Sequence, residues 1–92
     1  MLIGVPKEIK PQENRVGLTP ESVKELIDDG NKVIIERTAG QGSGFDDQNY
    51  KDVGATVFEN AQDIFDRAEL IIKVKEPHDN EIKKLKDDQL LL

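Results

Sequence analysis

Ninety-two residues carrying 13 basic and 19 acidic side chains, a net charge of −6 and no cysteine describe one small domain and leave no room for a two-domain enzyme in this chain alone. The negative charge and the lack of a basic patch argue against nucleic acid as a partner, and the absence of cysteine excludes disulfides and thiolate metal sites and fits a reducing compartment. No apolar leader and no run of about 18 apolar residues occur, so the expected setting is cytoplasmic, with no membrane partner.

Short β-branched runs alternate with polar stretches of helical period, the rhythm of parallel βαβ units. Leu2–Val5 is the first expected strand, closed by Pro6, which cannot donate to a sheet ladder. Lys7–Leu18 follows as a polar connection without periodicity, longer than a tight turn requires, and long connections in compact domains are often functional. Thr19-Pro20-Glu21 then starts a helix with threonine as N-cap, proline in the first helical position and an acid in the first turn. Val23, Leu26 and Ile27 form its apolar stripe and Gly30 ends it.

Lys32–Glu36 is the second strand, followed by the glycine-rich Ala39–Gly44 and a short helix from about Asp46 to Val53, with Gly54 behind it. Ala55–Phe58 is the third strand, and Asn60–Arg67 the third helix, with Ala61, Ile64, Phe65 and Ala68 at helical spacing. Glu69–Lys75 is the fourth strand. After Pro77, His78–Lys86 is a charged helix with Ile82 and Leu85 facing inward, and Gln89–Leu92 begins another apolar strand. Three consecutive leucines at that point read as a strand whose covering elements follow, so the chain is expected to be a fragment of a longer protein. The expected fold is a parallel α/β sheet with right-handed helical crossovers, a Rossmann-like three-layer arrangement, truncated.

In an open parallel sheet, ligands sit outside the carboxyl ends of the strands. That rule selects the segment after strand one, Lys7–Arg15, and the end of strand four. There, period-two spacing puts Lys73 and Lys75 on one face, with Leu70, Ile72 and Val74 on the other. Arg15, Lys73 and Lys75 therefore lie toward one edge of the sheet, which in an acidic chain suggests an anionic ligand, most simply a carboxylate held bidentately by arginine and by lysine as a point charge. On spacing alone the same cations also read as solvated surface charges paired with Glu8, Glu13 or Glu76.

Gly40-Gln41-Gly42-Ser43-Gly44 follows a strand and precedes a helix, but Phe45 stands where a dinucleotide fingerprint wants its third glycine, and no P-loop lysine is present. The loop reads as a structural turn with glycines at positive φ. His78, the one histidine, lies in a charged connection without a nucleophile beside it and reads as a surface residue. Asp46-Asp47 is a helix-capping start without the further acids of a calcium loop, and no metal is expected.

Taken together, Ile3-Gly4-Val5-Pro6-Lys7-Glu8, Glu13-Asn14-Arg15-Val16-Gly17-Leu18-Thr19-Pro20, Ala39-Gly40 through Gly42-Ser43, Gly54-Ala55 and Leu70-Ile71-Ile72-Lys73-Val74-Lys75-Glu76-Pro77 resemble the N-terminal domain of the alanine dehydrogenases over the whole chain. The most specific pieces are Glu-Asn-Arg-Val…Thr-Pro and Lys-Val-Lys-Glu-Pro. The α subunit of proton-translocating nicotinamide nucleotide transhydrogenase shares this domain, but tends to carry a different residue at the second lysine. The resemblance implies that residues 1–92 are the N-terminal part of a substrate-binding domain, with the NAD-binding domain absent from the chain.

It further implies oxidation of L-alanine with NAD to pyruvate and ammonia, a homohexamer, and a small-molecule partner, L-alanine or pyruvate. Arg15 and Lys75 become the residues that bind the substrate's carboxylate and carbonyl, with Lys75 as the catalytic residue, because a lysine beside the carbonyl oxygen stabilises charge that develops there. Lys73 has no role in the family and is expected to face solvent or an acidic neighbour. His78 does not match the place of the family's acid/base histidine, and the fragment alone is expected to be inactive. Two alternatives stand beside this reading, a fragment of the transhydrogenase α subunit and a carboxylate-binding module without chemistry.

Overall fold

The computed structural model describes residues 1–8 and 16–73 and the backbone of Leu90–Leu91. Five strands form one parallel sheet: β1 (Leu2–Val5), β2 (Lys32–Glu36), β3 (Thr56–Phe58), β4 (Leu70–Ile71) and β5 (Leu90–Leu91). Their spatial order is β3-β2-β1-β4-β5. The register sets Ile3 opposite Val33 on one side of β1 and opposite Leu70 on the other.

Among the described residues, three helices connect the strands. α1 (Pro20–Asp28) begins at Thr19, whose side chain accepts from the Ser22 N–H, and places Pro20 in its first turn, where a missing donor costs nothing. Gly30 follows at φ +96°, a conformation that glycine adopts without a Cβ penalty. α2 (Asp47–Asp52) opens on a reciprocal capping box between Asp46 and Asn49, and α3 (Ala61–Arg67) opens on Asn60, which accepts from the Asp63 N–H.

Side-chain alternation along the strands builds a core on each face of the sheet. On one face, Ile3, Val5, Val33 and Ile35 pack with Val23 of α1 and Tyr50 of α2; on the other, Ile34 and Ile71 pack with Ile64, Phe65 and Ala68 of α3. Walking from β1 through β2 to β3 uses α1 and α2; the return across the sheet to β4 uses α3. Crossovers of one hand must change face when the direction of travel reverses, and the two cores record that change. Gly4 makes the second core possible, since a Cβ there would lie 2.7 Å from both Ala68 Cβ and Ile64 Cγ2.

The expected elements that fall on described residues are present with their boundaries adjusted. β3 starts at Thr56 because the Ala55 N–H still bonds to Tyr50 O, the last link of the α2 turn. β4 covers Leu70–Ile71 of the expected Glu69–Lys75, of which Val74 and Lys75 lie outside the described residues. The helix expected over His78–Lys86 lies outside the described residues, as does Gln89; the strand expected there is seen as β5.

The glycine-rich loop differs from expectation. It forms a 3₁₀ turn over Gln41–Ser43 in which Gly44 alone of its glycines takes positive φ, +88°, while Gly40 sits at φ −93°. Gly40 is required by a neighbour: an added Cβ would come within 2.6 Å of the Tyr50 ring and hydroxyl. The residue that leaves the ordinary region is Thr38, at φ 63°, its N–H donating to Asp47 Oδ1 at 2.8 Å.

Candidate functional site at the strand switch

The strand order reverses between β1 and β4, so the connections from their carboxyl ends lead to opposite faces and a crevice opens between them. Backbone bonding holds the two strands together up to that point, the last link among the described residues being the Ile72 N–H donating to Gly4 O at 3.0 Å. Past β1 the chain turns through buried Pro6, and the Lys7 N–H donates to Glu36 Oε1 at 2.8 Å, tying the exit of β1 to the end of β2.

Two charges are buried where the strands part. Lys73 Nζ lies 3.3 Å from Glu8 Oε1, each side chain 2% exposed, and these are the buried charged residues among the described ones. The chain then returns to the same edge. Gly17 packs so closely over β4 that a Cβ would stand 2.6 Å from Ile72 O, and the next residue, Leu18, offers its carbonyl to the Tyr50 hydroxyl at 2.8 Å. Tyr50 is fully buried, and its pKa is pushed up to about 12, first by burial and then by nearby Asp47, so the phenol remains a neutral donor.

Arg15, Lys75 and His78 lie outside the described residues, as do Glu13 and Glu76. Of the expected site, the structure brings together the flanks: Gly17, two residues after Arg15 in sequence, meets Ile72, and Lys73 meets Glu8. Of the two surroundings expected for Lys73, the structure shows one. Lys73 has the acidic neighbour, Glu8, but it does not face solvent. A strand in a parallel sheet covered by helices on both faces has no wet side, and Lys73 shares the parity of Ile71, which belongs to the α3 core.

Sequence reasoning gave Glu8 only a surface role and passed over Tyr50. The parity of Lys73 with Ile71 was the available signal for the buried pair. A second concavity of about 610 Å³ opens between the start of α1 and α2, but its ionisable lining is Glu21 and Asp52, which repels a carboxylate. Among the described residues, no group of three or more His, Asp or Glu gathers as a metal cluster, and no helix is long and apolar enough to cross a membrane.

This doubly wound domain with a switch-point crevice agrees with the comparisons to known proteins. Residues 4–92 match the family described as alanine dehydrogenase/PNT, N-terminal domain. The alanine dehydrogenase of Methanococcus maripaludis is 50% identical over 91 residues, 99% of this chain and 24% of that protein. The alanine dehydrogenase of Bacillus subtilis is 51% identical over 77 residues, 84% of this chain and 20% of that protein.

Among solved structures, an L-alanine dehydrogenase superposes with a TM-score of 0.95 at 53% identity, covering 99% of this chain and 25% of that one. A transhydrogenase from Sinorhizobium meliloti superposes with a TM-score of 0.91 at 36% identity, covering 99% and 27%. The chain belongs to the alanine dehydrogenase/PNT N-terminal domain family. It spans about a quarter of the length of the curated relatives it matches.

Proposed function

We propose that residues 1–92 are the N-terminal part of the substrate-binding domain of an NAD-dependent L-alanine dehydrogenase, a cytoplasmic homohexamer that converts L-alanine, water and NAD⁺ to pyruvate, ammonium, NADH and a proton. The observation that carries this reading is the 50% identity to an alanine dehydrogenase across 99% of the chain, on a fold whose switch-point crevice is where such a domain takes its ligand.

In this reading Arg15 grips the substrate carboxylate with its planar fork, and Lys75 donates to the oxygen of the carbonyl, where negative charge gathers when ammonia adds to pyruvate in the reverse direction. Both groups act by orientation and by preorganised charge. The described residues do not fit a dinucleotide: the loop after β2 has no room at Gly40, which abuts Tyr50, and Phe45 replaces the fingerprint's third glycine. NAD, which takes up the hydride when bound, is accordingly assigned to a domain outside this chain.

The test is mutagenesis in the full-length protein. Lys75→Ala should lower kcat by about 10²–10³, the loss expected for one preorganised donor. Arg15→Ala should raise KM for alanine, and Arg15→Lys should recover part of it, since the charge remains and the fork is lost. The KM for NAD should stay unchanged in all three. Wild-type turnover in Lys75→Ala overturns the assignment. The 36% identity to a transhydrogenase supports a second reading, in which the parent transfers hydride between two nicotinamide cofactors and ignores alanine; alanine-dependent NADH formation separates the two.

A further inference from the structure

We propose that Glu8 and Lys73 form a positioning pair for the switch-point crevice, setting the spacing between the two chain limbs that lead to Arg15 and Lys75. The inference rests on the function proposed above. β1 ends at Val5 and β4 at Ile71, and the 3.3 Å contact between Glu8 and Lys73 joins the two limbs beyond the paired strand residues among the described ones.

Adhesion alone does not account for the pair. The strands are already bonded as far as Ile72 N–H to Gly4 O, and two apolar side chains of similar volume would fill a site that is 2% exposed at no greater cost, because burying two charges requires desolvating both. An ion pair adds what packing does not, a contact of defined length and direction between named atoms. Arg15 follows Glu8 in the chain and Lys75 comes two residues after Lys73, so this contact stands upstream of both proposed substrate residues. Gly17, two residues after Arg15 in sequence, is seated on Ile72 O at the same edge. An error of about 1 Å in such a frame is enough to cost up to 10²-fold in rate.

The experiment uses the full-length protein with alanine and NAD as the probes. Lys73→Met leaves Glu8 buried without this partner, and should lower both Tm and turnover. The double variant Glu8→Leu/Lys73→Met removes both charges, and its Tm should return toward wild type. Its kcat/KM for alanine should nevertheless remain at least about ten-fold low, with the loss in KM for alanine and not in KM for NAD. Recovery of kcat/KM together with Tm would make the pair a structural filler and overturn the inference.

If the double variant does not fold, Lys73→Arg decides the matter. It keeps the charge but changes the reach, and should raise KM for alanine about ten-fold in a folded protein; wild-type kinetics overturns the positioning role. A wild-type protein that turns over no alanine overturns the functional reading and this inference with it. Wild-type turnover with unimpaired Lys73→Arg or double variants overturns the positioning role alone.

Discussion

At the residue scale, Tyr50 ties the loop and the core to one side chain. Its hydroxyl holds Leu18 O at 2.8 Å, its ring meets Phe45 edge-on with centroids 6.4 Å apart, and its bulk dictates glycine at position 40. Tyr50→Phe should cost about 1 kcal/mol from the lost hydrogen bond, measured by denaturant unfolding. The raised pKa carries a second consequence. An acid whose folded-state pKa is raised stabilises the fold fully below its unfolded value of 10.0, and that contribution fades as pH climbs toward about 12, at no more than about 1.4 kcal/mol per pH unit. Wild type minus Tyr50→Phe should therefore show a stability difference that shrinks from pH 10 upward. Gly40 shows why such a residue escapes sequence reading: its glycine answers a ring ten positions on in the chain, not the local φ of the turn that contains it.

At the element scale, the helix starts were legible because capping is local chemistry. Thr19-Pro20, Asp46 and Asn60 each stand at the expected N-cap or first turn, and each accepts the amide that a helix leaves unpaired. Asp46→Ala should lower stability by about 1 kcal/mol through loss of the capping box, and Asp46→Ser should keep most of it, as thermal unfolding can show. Packing between elements was not legible. Gly4 is ordinary in a strand until α3 is laid across it, and then even a methyl group meets Ala68 and Ile64 at 2.7 Å. Gly4→Ala should force α3 outward and cost about 1–3 kcal/mol, with amide shifts concentrated in Ala61–Ala68. The same limit explains Lys73: a lysine on a strand reads as solvated until both faces of the sheet are known to be covered, and the count of helices per face is a tertiary fact.

At the scale of the whole molecule, the parallel sheet and its crossovers followed from the alternation of β-branched and helical stretches, because that pattern leaves few topologies open. The position of β1 did not, since strand order depends on which face each helix covers. Placing β1 in the middle of the turn-around puts the crevice beside the two segments that the strand-end rule selected, with Glu8 on one and Lys73 on the other. These 92 residues contain the proposed N-terminal part of a substrate-binding domain and no dinucleotide fingerprint, so the isolated chain should show no alanine-dependent NADH formation in a spectrophotometric assay. Turnover by the purified chain would overturn that.

The two sides of β1 close over very different lengths of chain. Ile3 finds Val33 across 30 positions but Leu70 across 67, and it meets a five-residue strand on the first side and a two-residue strand on the second. Loop entropy grows only by roughly 0.6 kcal/mol per doubling, so the shortness of β4 matters more: few amides are available to resist opening. In native-state hydrogen exchange the Ile72 amide should exchange through a partial opening, well below the global unfolding free energy, while Ile34 and Ile35 report global unfolding. The seam that houses the crevice is then its own cooperative unit, able to come apart and re-form while β1, β2 and β3 stay folded. Ligand bound there would be read as slower exchange at Ile72 before any change in Tm.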